Sequence, residues 1–126
     1  MKNYLKDAIP TLPCKNIKDT IEYYESKLGF EKSWSHEDLY GATFNGNVEI
    51  HLLKRDKEWT SSYIYLPASN VDELYEFLKE NNVEVITPPV DRFYGLRECI
   101  IKDLNGHYLT FSHEIIGREP NVPKEN

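Results

Sequence analysis

The sequence predicts an α+β fold built from one motif written twice: a strand, a helix and three further strands, then the same order again. Three observations carry this. The words Leu12-Pro13-Cys14-Lys15-Asn16-Ile17 return as Leu66-Pro67-Ala68-Ser69-Asn70-Val71, so that Pro13 meets Pro67 and Asn16 meets Asn70, a shift of 54 positions. An amphipathic helical pattern follows each word. An Asn-Gly pair then marks a hairpin in each half, Asn45-Gly46 and Asn105-Gly106, both expected as type I′ turns. The length fits one compact domain over residues 1–126, with module one at about 8–53 and module two at about 62–113.

Taken in order, a first strand is expected near 8–12, ending at the first repeated word. Asn16 is its exit and the N-cap of a helix, with Asp19 three positions on as in a capping box. Ile17, Ile21, Tyr24 and Leu28 then recur on one face, and Gly29 supplies the positive-φ residue that ends many helices. Strands follow near 30–36, 39–45 and 48–53, the last two joined at Asn45-Gly46 by an expected type I′ turn. Residues 54–60, Lys-Arg-Asp-Lys-Glu-Trp-Thr, read as a charged linker. The second half opens with a strand at 62–67 and a helix capped by Asn70, with Glu73 three on. Its apolar face is Val71, Leu74, Tyr75 and Leu78, and Asn81-Asn82 close it. Three strands at 83–87, 96–102 and 107–113 complete the copy. The Asn-Gly pairs are 60 apart and not 54, which predicts a loop six residues longer in the second half, at Thr87-Pro88-Pro89. Residues 117–126 carry two prolines and no periodicity and are expected to be loose.

Alternation along the strands assigns faces. Leu12 and Cys14, Ile64 and Leu66, and Leu109 and Phe111 form an apolar set that packs on the helices. The opposite set, Thr11 with Tyr63, Tyr65, Tyr108, Thr110 and Ser112, is hydroxyl-rich. A buried hydroxyl without a partner costs about 1–3 kcal/mol. This face is therefore expected to border a cleft open to water or ligand, since Tyr suits such walls with its apolar body and polar tip. Trp34 and Tyr40, in the second and third strands, add to the aromatic supply of nine Tyr, five Phe and two Trp.

Composition bounds the rest. Apolar residues make up 40% and charged residues 29%, ordinary for a globular protein. A net charge of −6, from 21 acids against 15 bases, argues against a nucleic-acid partner, which needs a basic face. No apolar run approaches a bilayer span, so no membrane partner is expected. The first residues, Met-Lys-Asn-Tyr-Leu-Lys-Asp, lack the features of a signal peptide, which makes the cytoplasm the expected location. Cys14 and Cys99 have no zinc-ligand spacing and read as small core residues.

Two stretches carry a family resemblance. Residues 17–30, Ile-Lys-Asp-Thr-Ile-Glu-Tyr-Tyr-Glu-Ser-Lys-Leu-Gly-Phe, resemble the helix and turn of the vicinal-oxygen-chelate superfamily, which holds glyoxalases, bleomycin resistance proteins and extradiol dioxygenases. Tyr94-Gly95-Leu96-Arg97-Glu98 followed by Asp103-Leu104-Asn105-Gly106-His107 resembles that family's second signature. The resemblance spans about residues 8–113, and its nearest likeness is to the bleomycin resistance proteins, through Ile9-Pro10-Thr11-Leu12, Asp38-Leu39-Tyr40-Gly41-Ala42 and Asp72-Glu73-Leu74-Tyr75. It implies two paired βαβββ modules that curl around a cleft, and a function of stoichiometric capture of a small molecule without chemistry. It also implies a homodimer that exchanges an N-terminal arm hinged at Pro10, with ligands held between subunits.

Metal-dependent members of that family take ligands from the first, fourth, fifth and eighth strands. Counted from Asn16, Gly46, Asn70 and Gly106, those positions fall on Ile9, Ile50, Tyr63 and Thr110. None is a carboxylate or imidazole, so no metal and no other cofactor is expected. Glu49 and His51 share the opposite strand face from Ile50, and His36, His107 and His113 lie on other strands. His107 is expected to be exposed after its turn, and His113 to cap the last strand. The candidate ligand-binding residues are thus Thr11, Trp34, Tyr40, Tyr63, Tyr65, Tyr94, Tyr108 and Thr110, with no catalytic residue. Tyr94 enters through the resemblance, as counterpart of the ring that stacks on the flat part of bleomycin, while Glu37 and Asp38 are placed to meet a cationic tail. One slot departs from the resistance proteins: a stacking aromatic of the third strand is replaced by Leu39, leaving Trp34 or Tyr40 to supply the second ring. A metal-dependent lyase or dioxygenase is the alternative, and a structural dimer without ligand is a third reading.

Overall fold

The computed structural model describes residues 2–115, so the expected loose tail at 117–126 lies outside the described residues. The chain divides between Trp59 and Thr60 into two compact units. Among the described residues no helix is long and apolar enough to cross a membrane.

The first unit runs β1 (Thr11–Cys14), α1 (Ile17–Leu28), β2 (Glu31–His36), β3 (Tyr40–Asn45) and β4 (Val48–Lys54), with sheet order β1-β4-β3-β2. β1 lies parallel to β4, and the other pairs are antiparallel. The first strand starts at Thr11, later than the expected 8. Pro10 has no N–H to give, so its carbonyl only accepts from His51 N at 2.9 Å, and residues 2–9 stay exposed. Asn16 caps α1 by accepting from Asp19 N at 2.8 Å, and Gly29 ends it at φ 76°. Ile17, Thr20, Tyr24 and Leu28 are the buried face. Thr20 takes a core place because its hydroxyl donates to the Asn16 carbonyl at 2.7 Å and leaves only its methyl to pack. Gly41 is needed beneath this helix. A Cβ there would meet Ile17 Cγ2 and the Trp34 carbonyl at 3.0 Å.

The second unit repeats the order as β5 (Tyr63–Pro67), α2 (Val71–Glu80), β6 (Glu84–Asp91), β7 (Leu96–Lys102) and β8 (Tyr108–Glu114), with sheet order β5-β8-β7-β6. Asn70 caps α2, accepting from Asp72 N and Glu73 N. Asn82 at φ 57° makes the left-handed exit. Cys99, Ile101, Leu109, Val71 and Leu78 are all at most 1% exposed and form this unit's core. Burial pushes the Cys99 thiol up to about 11, which keeps it protonated and inert.

Three expectations about connections fail. The six extra residues do not form a loop at Thr87-Pro88-Pro89. They are spread along the unit. β6 runs straight through these residues and is two residues longer than β2 (8 against 6), with register shifts between Val85 and Thr87 and again between Thr87 and Val90. The β7–β8 loop is three residues longer than the β3–β4 loop (5 against 2). An edge strand tolerates prolines at such bulges because its outer N–H groups have no partner to lose. Neither Asn-Gly turn is type I′, which needs positive φ at both central residues. The first hairpin has the two-residue loop Gly46-Asn47, with positive φ at Gly46 and not at Asn45. The second has a five-residue loop, 103–107, in which Gly106 N donates to the Asp103 carbonyl at 3.1 Å and Gly106 sits at φ 86°. Asp103 Oδ1 holds that loop by accepting from Asn105 N and His107 N, both at 2.9 Å.

His107 is not exposed as expected. It is fully buried, and its Nδ1 accepts from Ser62 N at 2.9 Å. His113 does not cap its own strand either: its Nδ1 accepts from Val71 N at 2.8 Å, the first amide of α2. In the first unit Asp38 Oδ1 does the same for Ile17 N at 2.9 Å. Two different side chains from different elements thus satisfy equivalent orphan amides of the repeated helix start.

Candidate functional site

In the first unit, β4 decides what faces where. Ile50 and Leu52 are fully buried, and Leu52 lies in register with Gly41, whose open side faces α1. His51 therefore points to the other side of the sheet, beside Thr11 on β1 and Ala42 on β3. Trp34 of β2 is in register with Ala42 and joins this face. The Trp34 and Tyr40 rings stack, with centroids 6.3 Å apart and planes at 30°. The His51 ring sits edge-on to both. Tyr40 hydroxyl meets His51 Nδ1 at 2.9 Å, and His51 Nε2 meets Glu49 Oε2. With the carboxylate accepting from Nε2–H, a neutral imidazole takes the Tyr40 proton at Nδ1.

This corrects the fourth-strand position. It is His51, not Ile50. The parallel registers pair Thr11 with His51 and Tyr65 with Thr110, so β4 and β8 are related by 59 positions and not 60. Counting from each glycine fails because Gly46 opens its loop while Gly106 stands fourth in a longer one. Leu39, as expected, supplies no ring, but Trp34 and Tyr40 do. Asp38 is engaged with Ile17 N and Lys54 Nζ, and this holds its carboxyl below the usual carboxylate range, the lysine contributing most. It is a tie between β4 and α1, not a free anion. A hollow of about 550 Å³ flanks Trp34, lined also by Asn16, Lys18, Ile21 and Glu37.

In the second unit the corresponding face is richer. Tyr63 and Tyr65 of β5 stand 78% and 49% exposed, and the Tyr63 ring stacks on Tyr108 at 5.1 Å and 14°. Thr110 is half-buried beside Tyr65. Ser112 is buried instead of wet, because its neighbour across β7 is Glu98 and its hydroxyl bonds to Tyr65. Sequence reading missed Glu98. It is 5% exposed, and its carboxylate accepts from Tyr65 hydroxyl and Tyr94 hydroxyl, each at 2.7 Å, and from Arg92 Nε at 3.1 Å. Burial works to raise its pKa, but these three donors win and hold it below the ordinary value. Tyr65 and Tyr94 are both pushed up, chiefly by burial and further by their bonds to Glu98. Tyr94 is placed for this by the turn from Arg92 to Gly95, closed by Gly95 N donating to the Arg92 carbonyl at 3.1 Å. Only strand alternation from a known register could have signalled Glu98, since it shares its face with Ile100 and Lys102 and not with Cys99 and Ile101.

The predicted residues therefore fall into two groups. Thr11, Trp34 and Tyr40 share a face in the first unit, joined by His51 and Glu49. Tyr63, Tyr65, Tyr94, Tyr108 and Thr110 share one in the second, joined by Glu98 and Arg92. Among the described residues, no three His, Cys, Asp or Glu converge in a way that could hold a metal ion. What both faces offer is ring surface beside paired polar groups, Tyr40 with His51 and Glu49 in one and Tyr65 and Tyr94 with Glu98 in the other, which suits holding a planar molecule.

Comparison with known proteins gives one family from the sequence, relatives within it, and the same fold among solved structures. The family model described as Glyoxalase/Bleomycin resistance protein/Dioxygenase superfamily matches residues 8–111. A bleomycin resistance protein of Geobacillus stearothermophilus is 29% identical over 128 residues, covering 86% of this chain and 96% of that protein. One from Staphylococcus aureus strain MRSA252 matches with the same identity and coverage. Among solved structures, a bleomycin resistance determinant encoded on the transposon Tn5 superposes with a TM-score of 0.77 at 16% identity, covering 87% of this chain and 98% of that one. A glyoxalase/bleomycin resistance protein/dioxygenase from Nocardioides superposes with a TM-score of 0.77 at 16% identity, covering 98% and 93%.

Proposed function

The chain belongs to the Glyoxalase/Bleomycin resistance protein/Dioxygenase superfamily, and from that premise we propose that it captures a small flat or cationic molecule of the bleomycin type without transforming it. The observation that carries this reading is the exposed aromatic face of each unit: Trp34 stacked on Tyr40 beside His51, and Tyr63 stacked on Tyr108 beside Tyr65 and Tyr94. An aromatic pair contributes about 0.5–1.5 kcal/mol beyond area burial, so several rings are needed for useful affinity, and the chain supplies them. The resistance proteins it matches support the binding role. A net charge of −6 favours a cationic guest over an anionic one.

Neither unit offers donors that fit a divalent metal: the first has Ile9, which carries no lone pair, and His51, and the second has the neutral hydroxyls of Tyr63 and Thr110. Both nitrogens of the one imidazole are engaged, by Tyr40 and by Glu49, and neutral hydroxyls bind such ions poorly. The homodimer belongs to the same proposal. Residues 2–9 are exposed and outside regular structure up to Pro10, as an exchanged arm requires before it finds its partner.

The test is tryptophan fluorescence titration with bleomycin and with flat cationic drugs. Saturable quenching at one ligand per chain, lost in Trp34→Phe while binding by calorimetry persists, is the expected result. A stoichiometric metal in the purified protein, or turnover of a thiohemiacetal or catechol, would replace this reading with the lyase or dioxygenase one. Sedimentation at micromolar concentration checks the dimer, and a monomer there removes the exchanged arm.

A further inference from the structure

Glu98 is the one carboxylate in the second unit that is nearly buried, touches both site tyrosines and lies on the ligand-facing side of its sheet. Its three partners consume specific hydrogens. A phenol carries one proton, and the protons of Tyr65 and Tyr94 are both spent on Glu98, one on each oxygen. Ser112 adds its hydroxyl to Tyr65, so nothing inverts that phenol. Arg92 gives its Nε to the same carboxylate, so the cation nearest the two phenols is matched by an anion, while Lys102, on the same face, lies with its Nζ 5.8 Å from the Tyr108 ring centroid. The Tyr65 and Tyr94 oxygens themselves keep lone pairs and have no proton left to donate.

We propose that Glu98 determines ligand specificity: by fixing both phenol protons and balancing Arg92, it makes the Tyr65–Tyr94 pair a hydrogen-bond acceptor that selects planar ligands bearing N–H donors over those that bring carboxylates or phosphates to it. The inference rests on the capture reading above and names the class of guest within it. A ligand amidine or amino-heteroaromatic places its N–H groups on the Tyr94 and Tyr65 oxygens while its ring lies on the aromatic floor of Tyr63 and Tyr108. A carboxylate of the same shape brings acceptor against acceptor, and like ends facing each other carry a desolvation cost with no bond in return. The first unit repeats the arrangement through an imidazole. There the Tyr40 hydroxyl meets His51 Nδ1, and the other ring nitrogen meets Glu49.

Two measurements test this. The first needs no ligand. In a spectrophotometric titration of the phenols, Tyr65 and Tyr94 ionise above the ordinary tyrosine range, and Glu98→Gln brings two phenols down. Unchanged phenols in that variant overturn the claim that their protons are held by Glu98. The second is calorimetry with an isosteric pair, biphenyl-4-carboxamidine and biphenyl-4-carboxylate. Wild type is expected to favour the amidine by at least about tenfold, the worth of a hydrogen bond to a charged group. Glu98→Gln frees a phenol proton and uncovers Arg92, so the ratio collapses toward unity or reverses. A merely structural role would weaken both probes together and leave the ratio alone. Where Glu98→Gln does not fold, Tyr94→Phe keeps the ring and lowers the ratio by removing one acceptor. A wild type that binds the carboxylate as tightly as the amidine overturns the inference and leaves capture standing. Binding of neither probe overturns capture on this face and the inference with it.

Discussion

A single buried histidine is worth more to this protein than its place after a turn suggests. His107 has no exposed surface, and its Nδ1 is the acceptor for Ser62 N–H at the entry to β5. Replacing it with Leu keeps the bulk and removes the acceptor. The expected cost is about 1–3 kcal/mol, that of a buried donor left unpaired, read as a lower urea midpoint with an unchanged slope. A midpoint equal to wild type would mean that water reaches the Ser62 amide. Residue types at the site were readable in the sequence: Thr11, Tyr63, Tyr65, Tyr108 and Thr110 do share the open faces of their sheets. The partners that give them polarity were not readable. Glu98, His51 and His107 act through residues 33, 11 and 45 positions away, and no local pattern encodes such pairings. Ile50 falls on the ligand side only when a glycine is the ruler. The ruler slips when one hairpin has two loop residues and the other five.

At the scale of elements, what is local was legible and what depends on a neighbouring strand was not. Both N-caps stand where the repeated Asn predicts, because capping involves residues within one turn. Asn16→Ala is expected to cost about 1 kcal/mol, and Asn16→Ser much less, in thermal or urea unfolding. The β6 bulges escaped sequence reading because two prolines in a row look like a loop until an edge position excuses them. Gly41 carries the strongest packing prediction. Its missing side chain lets α1 approach β3, and an added methyl would press on the Trp34 carbonyl as well as on Ile17. Backbone cannot swing away as a side-chain tip can. Gly41→Ala should therefore lose about 1–3 kcal/mol, the usual cost of overpacking, and should shift the Trp34 emission because β2 must move. An unchanged midpoint and spectrum would show that Ile17 alone yields.

Across the whole molecule, each repeat anchors its helix start to its sheet with an ionised group, and this makes stability depend on acid. Asp38 is held low first by Lys54 and then by Ile17 N–H. Asp72, at the start of α2, is held low by the paired contacts of Arg97, which also meets Asp91. Glu98 is held low despite burial by Tyr65, Tyr94 and Arg92. A carboxyl whose folded pKa lies below its unfolded one binds more protons when unfolded, so its contribution is complete above the unfolded value and drains away as pH falls through the folded one. With unfolded references of 3.8 for the aspartates and 4.5 for Glu98, the thermal midpoint should stay level, as far as these three are concerned, down to about 5, then fall steadily below it. Asp72→Asn provides the check on assignment. It lowers the midpoint near neutral pH by a modest amount, since exposed ion pairs contribute about 0–1 kcal/mol. Below the folded pKa of Asp72 the wild-type side chain is itself neutral, so the two curves must converge there. Parallel curves across the acid range would mean that Asp72 stabilises α2 by its shape and not by its charge, and that the acid sensitivity belongs to Asp38 and Glu98.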